Sequence, residues 1–232
     1  MSEESGQLVL FDLDGTLIDS EPGISATLGY AFAQIGAELP TPDVLRTWIG
    51  PPFWQSFPSV LGDDPARIEA AIEHYRIRFE QVGWSEHAVY PGIAELVAQL
   101  MREQRTLAIV TTKPQSQAQT IIDHLSFGVA FARVYGPDIN GRHCAKAEMI
   151  AQALTDFGVQ AEHAVMIGDR HFDIEGARAN GVRALGVSWG FGSREELLGA
   201  GAEAIADDAT DLRRLLQPLN DVIPTAQIQK ST

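Results

Sequence analysis

Residues 8–17 read LVLFDLDGTL, and this stretch is the clearest indication of fold in the chain. Leu8–Phe11 is uniformly apolar, which is typical of a strand covered on both faces in a parallel sheet. Asp12 and Asp14 follow directly, and Gly15 favours a turn. Because ligands of open α/β sheets bind at the carboxyl ends of the strands, the pattern predicts a functional site at this edge.

The two aspartates are separated by a single residue, and that spacing has a chemical consequence. Carboxylates this close repel each other unless a cation lies between them. The pair therefore predicts a metal-assisted site in which one carboxylate attacks and the other transfers protons. Taken alone, the pattern also fits an Asp-rich cap at a strand-to-helix turn.

The composition indicates a soluble globular protein. The chain has 232 residues, of which 45% are hydrophobic and 21% charged, enough for one substantial core and a smaller unit. We find no apolar stretch of the roughly 18 residues that a membrane span needs, and the acidic start lacks the apolar core of a signal peptide. A single cysteine, Cys144, excludes an internal disulfide. We therefore expect a cytoplasmic protein with no membrane partner.

The net charge of −14 argues against a nucleic-acid polymer as a partner, because such a surface needs a basic stripe. It also repels anionic substrates at long range, so local cations have to reverse the sign of the potential at any phosphate site. Lysine is scarce, and only Lys113 and Lys146 lie outside the C-terminal tail. Nothing in the sequence indicates an oligomeric state.

Apolar strand patterns alternate with helical patterns after residue 88, which predicts a doubly wound parallel sheet in an α/β fold. The expected strands after the first lie at 107–110, 133–135, 164–167 and 184–187. Residues 19–88 differ, since they are rich in helix formers and aromatic residues and contain no convincing strand. They predict a helical insert with helices near 22–36, 42–49 and 64–81. The predicted organisation is an α/β core (1–18 and 89–220), a helical cap domain (19–88) and a flexible tail (221–232).

Three further groups of polar residues follow predicted strands or begin helices. Thr111 and Thr112 end the strand at 107–110, where a hydroxyl can bond a phosphoryl oxygen. Lys146 begins a helix, where a cation opposes the macrodipole, and a broken local rule suggests a functional role. Asp169 and Asp173 are one helical turn apart, so both can face one cation. Each residue alone is also compatible with an ordinary strand end, solvated lysine or helix cap.

As a set, these motifs resemble the four motifs of the haloacid dehalogenase-type hydrolases, in the same order along the chain. The matching segments are DLDGTL at 12–17, the strand ending in Thr111, Lys146, and GDxxxD at 168–173. The resemblance implies a Rossmann-like core with a helical cap inserted after the first strand. It also implies that the protein is an enzyme with Mg2+ as its cofactor.

The resemblance assigns a role to each matching residue. Asp12 corresponds to the nucleophile that becomes an aspartyl-phosphate, and Asp14 to the general acid/base. Lys146 pairs with the nucleophile and the transferring phosphoryl group. The expected substrate-binding residues are Thr111, Thr112, Lys146 and Arg46, and the expected metal ligands are Asp12, Asp14, Asp169 and Asp173. Relatives often have Asn where this chain has Thr112, which leaves the role of Thr112 open.

The resemblance predicts a Mg2+-dependent phosphomonoester hydrolase acting on a small phosphorylated metabolite. Residues 49–53, IGPPF, are similar to a stretch in phosphoglycolate phosphatase-like and 5′-nucleotidase-like members, and we expect phosphoglycolate-like substrates ahead of nucleoside monophosphates. Arg46 either meets a substrate carboxylate or second phosphate, or is a solvated helix-end arginine. Phe53, Trp54 and Phe57 either stack on the substrate or form the core of the cap. A phosphosugar mutase and a non-catalytic phosphate-binding regulatory module remain alternatives.

Overall fold

The computed structural model describes residues 8–139 and 145–217, so the predicted tail at 221–232 lies outside the described residues. Six strands form one parallel sheet in the order β5-β4-β1-β6-β7-β8, and β2 pairs with β3 in a separate antiparallel ribbon. The strands are β1 (Leu8–Phe11), β2 (Ile18–Asp19), β3 (Ala88–Val89), β4 (Thr106–Val110), β5 (Phe131–Tyr135), β6 (Ala164–Gly168), β7 (Arg183–Val187) and β8 (Ala204–Ala206).

Eleven α-helices accompany these strands in the part of the chain that the structure describes. They are α1 (Glu21–Gln34), α2 (Pro42–Thr47), α3 (Phe53–Ser56), α4 (Pro58–Leu61), α5 (Pro65–Gln81), α6 (Ile93–Arg102), α7 (Gln115–His124), α8 (Lys146–Phe157), α9 (His171–Ala179), α10 (Arg194–Ala200) and α11 (Ala209–Leu216). None of the described helices is long and apolar enough to cross a membrane.

The sheet is covered on both faces, which confirms the doubly wound α/β prediction. Val9 and Phe11 face a core cluster that includes side chains of α6, α7 and α11. Leu8 and Leu10 face a second cluster with side chains of α8, α9 and α10. Because alternate residues of a strand point to opposite faces, burying all of β1 requires a helical layer on each side of the sheet.

The strand register aligns the carboxyl ends of the three central strands. Phe11 at the end of β1 pairs with Ile109 of β4 and with Ile167 of β6. The N–H of Asp12 then donates to the Ile167 carbonyl at 2.9 Å, which extends the pairing by one residue. The polar residues that follow these strands are therefore brought to one edge of the sheet.

Helices α1–α5 form a helical insert between β2 and β3, which we call the cap. Its core is aromatic: Phe57 is fully buried and lies 5.4 Å from Phe32 and 5.5 Å from Trp48, measured between ring centroids. Phe53 stacks on Phe57 at 5.1 Å, whereas Trp54 is 49% exposed. Of the three aromatic residues considered for substrate stacking, Phe57 is buried in the cap core, whereas about half of Trp54 is exposed to solvent.

Several short elements were not expected from the sequence. Pro52 is the N-cap residue of α3, and Pro58 is the first residue of α4. Proline is tolerated there because those N–H groups have no partner within the helix. The strands β2, β3 and β8 have only two or three residues each, too few for a periodic pattern. The insert therefore does contribute residues to a strand ribbon, contrary to the expectation of none.

We expect Phe57→Ala to destabilise the cap by about 3–5 kcal/mol, because it removes a ring from a close-packed aromatic cluster and leaves a cavity. Urea unfolding followed through tryptophan fluorescence, to which Trp48 contributes, measures the change. Val129→Ala is the matched control, since Val129 is 91% exposed and should change stability little. A Phe57→Ala variant as stable as that control would show that the cap core is not packed as described.

Candidate active site

Lys146 lies at the centre of the site. It is the first residue of α8, and its ammonium group is 2.7 Å from Asp12 Oδ1 and 2.5 Å from Asp173 Oδ1. It also donates to the Val110 carbonyl at 2.8 Å. Burial by itself lowers the pKa of Lys146, but the two carboxylates outweigh it, so the pKa is raised and the side chain stays charged.

Three buried carboxylates surround this cation. Asp12, Asp169 and Asp173 each offer an oxygen within 4.8 Å of the others, and they are the residues of the described chain that could jointly hold a metal ion. Burial raises the pKa of Asp12 to about 7. The nearby Lys146 ammonium lowers this pKa and the Asp173 carboxylate raises it, but burial has the largest effect. Burial and the charges of Asp12 and Asp173 raise the pKa of Asp169 well above its usual value, although the Phe191 N–H donates to it at 2.7 Å.

The charge balance of this group fits a divalent cation. Three carboxylates against one ammonium leave an excess of negative charge in a buried site, which is costly unless it is neutralised. Hard divalent cations with oxygen ligands match such a donor set. The group is therefore compatible with a bound metal held by Asp12, Asp169 and Asp173.

The Asp14 carboxylate is not part of this group, and its expected role as a fourth metal ligand stays a prediction. Its Oδ2 is 3.0 Å from Lys113 Nζ, and both side chains are largely buried. Its other oxygen, Oδ1, is buried without a hydrogen-bond partner among the described residues. The Lys113 ion pair draws the Asp14 carboxylate toward the cap, where Lys113 also lies 5.1 Å from the Phe79 ring centroid.

Gly15 permits this separation of the two aspartates. It has a φ of +83°, and a Cβ at this position would lie 2.2 Å from Asp169 Oδ2. Only glycine combines the left-handed conformation with such close approach. The chain therefore turns sharply after Asp14 while Asp12 stays against β6.

The two threonines after β4 have different surroundings. Thr111 is buried, and its hydroxyl oxygen accepts from the Lys113 N–H at 3.2 Å, which leaves the hydroxyl proton to donate to a ligand. Thr112 instead donates through its hydroxyl to the Gly50 carbonyl of the cap at 2.7 Å. The substrate-binding roles assigned to these threonines stay predictions.

The cap is bound to the core edge through backbone carbonyls. Besides the Thr112 contact, Arg170 donates to the Ile49 carbonyl at 2.6 Å and Arg46 donates to the Gly190 carbonyl at 3.1 Å. Arg46 also pairs with Glu21 at 2.5 Å. The Arg46 guanidinium therefore binds protein groups on both of its terminal nitrogens, and its expected contact with substrate stays a prediction.

A cavity of about 130 Å³ lies between the cap and the core beside Asp14. Its walls are mostly apolar and aromatic, and the polar groups that reach it come mainly from Thr112, Lys113, Gln117 and Arg76. The aromatic residues of the wall are Trp48, Phe53, Trp54 and Tyr75. Arg46 is not among the lining residues.

Two residues at the strand edge, Lys113 and Arg170, had no role predicted from the sequence. The partner of Lys113 is Asp14, which follows β1 and is 99 residues earlier in the chain, so the sequence alone does not reveal this ion pair. Arg170 gave no signal, because its partners Ile49 and Glu196 are both distant in sequence. Both residues connect the strand edge to neighbouring elements.

We expect Asp12→Asn to stabilise the protein in the presence of a chelator at pH 8, by about 1–4 kcal/mol. An acid whose pKa is raised on folding contributes stability below its unfolded pKa of about 4 and loses it as the pH rises through the folded value. Because the folded pKa of Asp12 is about 7, the gain should shrink as the pH falls toward 4. Urea unfolding between pH 4 and 8 measures it, with the exposed Asp63→Asn as control. A variant less stable than the parent at pH 8 would contradict the charge excess.

Comparisons with known proteins agree with this geometry. A sequence model described as "Haloacid dehalogenase-like hydrolase" matches residues 9–187. A 5′-nucleotidase of Pseudomonas aeruginosa is 40% identical over 209 residues, covering 90% of this chain and 95% of that protein. The tyrosine-protein kinase PtkA of Mycobacterium tuberculosis is 33% identical over 217 residues, covering 93% and 73% of the two chains.

The solved structures give the same result. The crystal structure of a predicted phosphatase from Clostridium acetobutylicum superposes with a TM-score of 0.84 and 33% identity, covering 90% of this chain and 97% of that one. The sequence-model match at residues 9–187 contains the cap and the residues Asp12, Thr111, Lys146, Asp169 and Asp173. The chain belongs to the haloacid dehalogenase-like hydrolase family and is a phosphatase of that family.

Proposed function

We propose that this phosphatase is a Mg2+-dependent phosphomonoester hydrolase that forms an aspartyl-phosphate on Asp12 and prefers nucleoside 5′-monophosphates. The observation that carries the proposal is the position of the Asp12 carboxylate, which follows β1, lies 2.7 Å from the Lys146 ammonium and is grouped with the carboxylates of Asp169 and Asp173. A nucleophile of this kind needs its negative charge kept and its surroundings neutralised.

Asp12, Asp169 and Asp173 would hold the Mg2+ ion. When bound, the ion balances charge on the phosphoryl oxygens and lowers the repulsion between Asp12 and an anionic substrate. Mg2+ suits oxygen donors and keeps several waters, in accord with a site that offers only three side-chain carboxylates.

The remaining residues have complementary roles. Asp12 attacks phosphorus in line while Lys146 neutralises developing charge, and the Thr111 hydroxyl donates to a phosphoryl oxygen. Asp14 gives a proton to the leaving oxygen and then takes one from the water that hydrolyses the aspartyl-phosphate. Lys113 fixes one oxygen of Asp14, so that the unpartnered Oδ1 is the atom left to exchange protons.

The cavity wall favours a leaving group with a flat apolar surface. A phosphoglycolate carboxylate needs a free cation, but Lys113 is paired with Asp14, and Arg76 donates to the Ile139 carbonyl at 2.7 Å. The cavity, at about 130 Å³, is smaller than the several hundred Å³ of a typical ligand pocket. We therefore place the ribose in the cavity and the base at its rim, against the exposed face of Trp54.

This order of substrates reverses the sequence-based expectation that placed phosphoglycolate first. Two observations support the change: the aromatic lining of the cavity, and the 40% identity with a protein named 5′-nucleotidase. A phosphosugar mutase would protect the aspartyl-phosphate from hydrolysis by water. A regulatory module would not hydrolyse any substrate. An activity assay distinguishes both alternatives from a phosphatase.

Phosphate release from a panel of phosphomonoesters tests the proposal, with Asp12→Asn as the blank and chelator as a second arm. We expect kcat/KM for a nucleoside 5′-monophosphate at least tenfold above that for phosphoglycolate, about 1.4 kcal/mol of transition-state discrimination. We also expect reversible loss of activity on chelation. A preference for phosphoglycolate would support the sequence-based expectation and contradict the proposed substrate. Transfer of the phosphoryl group to another position without release of phosphate would indicate a mutase. No phosphate release above the blank would indicate a non-catalytic module.

We expect Trp54→Ala to raise KM for nucleoside 5′-monophosphates by about 5- to 50-fold, since stacking a base on an aromatic ring contributes roughly 1–3 kcal/mol. KM for phosphoglycolate, which has no base, should change less than twofold. Tyr30→Ala is the matched control, because Tyr30 is a partly exposed cap aromatic outside the cavity lining. Equal losses for both substrates would remove Trp54 from base recognition.

A further inference from the structure

Arg46 is a cap residue whose contacts the proposed chemistry leaves unexplained. Its guanidinium pairs with Glu21 at 2.5 Å through Nη1 and donates from Nη2 to the Gly190 carbonyl at 3.1 Å. It also lies 5.1 Å from the ring centroid of Phe191. Arg46 therefore joins a helix of the cap to the turn that follows β7.

The peptide group that accepts from Arg46 also donates to Asp169. The carbonyl of Gly190 and the N–H of Phe191 belong to a single peptide unit, which is planar and rigid. The carbonyl end accepts from Arg46 at 3.1 Å, and the N–H end donates to Asp169 Oδ2 at 2.7 Å. A cap cation and a proposed metal ligand thus bind opposite ends of one rigid group.

The turn at 189–192 has little freedom to absorb a displacement. A Cβ on Gly190 would lie 2.3 Å from Asp169 Cβ and 2.4 Å from the Gly15 carbonyl oxygen, so the backbone packs directly on the site. Trp189 Nε1 fixes the start of the turn by donating to the Thr16 carbonyl at 3.1 Å. A change in the tilt of the Gly190–Phe191 peptide is therefore passed to the Asp169 carboxylate.

We propose that Arg46 is a positioning residue that couples the seating of the cap to the orientation of Asp169 toward the divalent cation. The inference rests on the metal site of the proposed function. When Arg46 holds the Gly190 carbonyl, the Phe191 N–H is aimed at Asp169 Oδ2, and hydrogen bonds in series polarise one another. The other Asp169 oxygen, Oδ1, accepts from the Thr16 hydroxyl at 3.4 Å. Arg46 needs no contact with substrate for this role.

The alternative is that Arg46 acts only through its charge. The two roles predict opposite changes in metal affinity when Arg46 is removed. A positive charge beside a cation site repels the cation, so removing it would strengthen cation binding. Loss of a residue that orients a ligand weakens metal binding instead, as is usual for the hydrogen-bond partners of metal ligands. The sign of the change in metal affinity therefore separates the two.

Equilibrium binding of Mn2+ to the whole protein, followed by the electron paramagnetic resonance signal of the free ion, tests the inference without turnover. We expect the dissociation constant to rise about 3- to 10-fold in Arg46→Ala. Arg46→Lys, which keeps a donor and the charge, should recover part of the affinity. Arg67→Ala removes the same charge from an exposed position of cap helix α5 and should leave the affinity unchanged.

Two further measurements complete the experiment. At subsaturating Mg2+, Arg46→Ala should lower kcat, and excess Mg2+ should restore most of it, with KM for substrate changing less than twofold. Unchanged or tighter Mn2+ binding in Arg46→Ala would overturn the inference. Absence of Mn2+ binding in the parent protein would instead overturn the proposed metal site, so the two failures are distinguishable.

Discussion

The ammonium group of Lys146 is buried between Asp12, Asp173 and the Val110 carbonyl, and the arrangement of the strand edge depends on it. A buried lysine is stable only when paired, and buried carboxylates this close are stable only when a cation compensates them. The two ion pairs and the hydrogen bond therefore join α8 and α9 to the ends of β1 and β4. They also leave the carboxylates in excess, which gives the site its capacity for a further cation.

The position of the cap on this edge of the sheet is a second constraint. It is fixed largely by hydrogen bonds that side chains donate to backbone carbonyls. Thr112 and Arg170 of the core donate to the cap carbonyls of Gly50 and Ile49, and Arg46 of the cap donates to a core carbonyl. Such contacts depend on backbone position more than on partner side chains. They place Trp54 at the cavity beside Asp14, so the cap and the core both contribute residues to the cavity wall.

Much of the fold was predictable because it rests on local patterns. The uniformly apolar β1 predicted a strand buried on both faces, and the predicted helix at 64–81 differs from α5 by a single residue at its start. The strand ends carrying Asp12, Thr111 and Asp169 were predictable for the same reason, since each follows an apolar run. The short elements α3, α4 and β8 were not, because their lengths carry no periodic signal and packing alone stabilises them.

The sequence by itself determined the α/β class, the family and the residues that meet at the strand ends, because these depend on hydrophobic runs and on residue types at fixed spacing. Only the tertiary structure decided that Asp14 pairs with Lys113, away from the other three aspartates. It also decided that Arg46 binds a peptide group beside Asp169 and lies outside the cavity lining. The physical reason is that these contacts join residues distant in sequence, and their geometry is set by sheet register and cap packing, which no local pattern encodes.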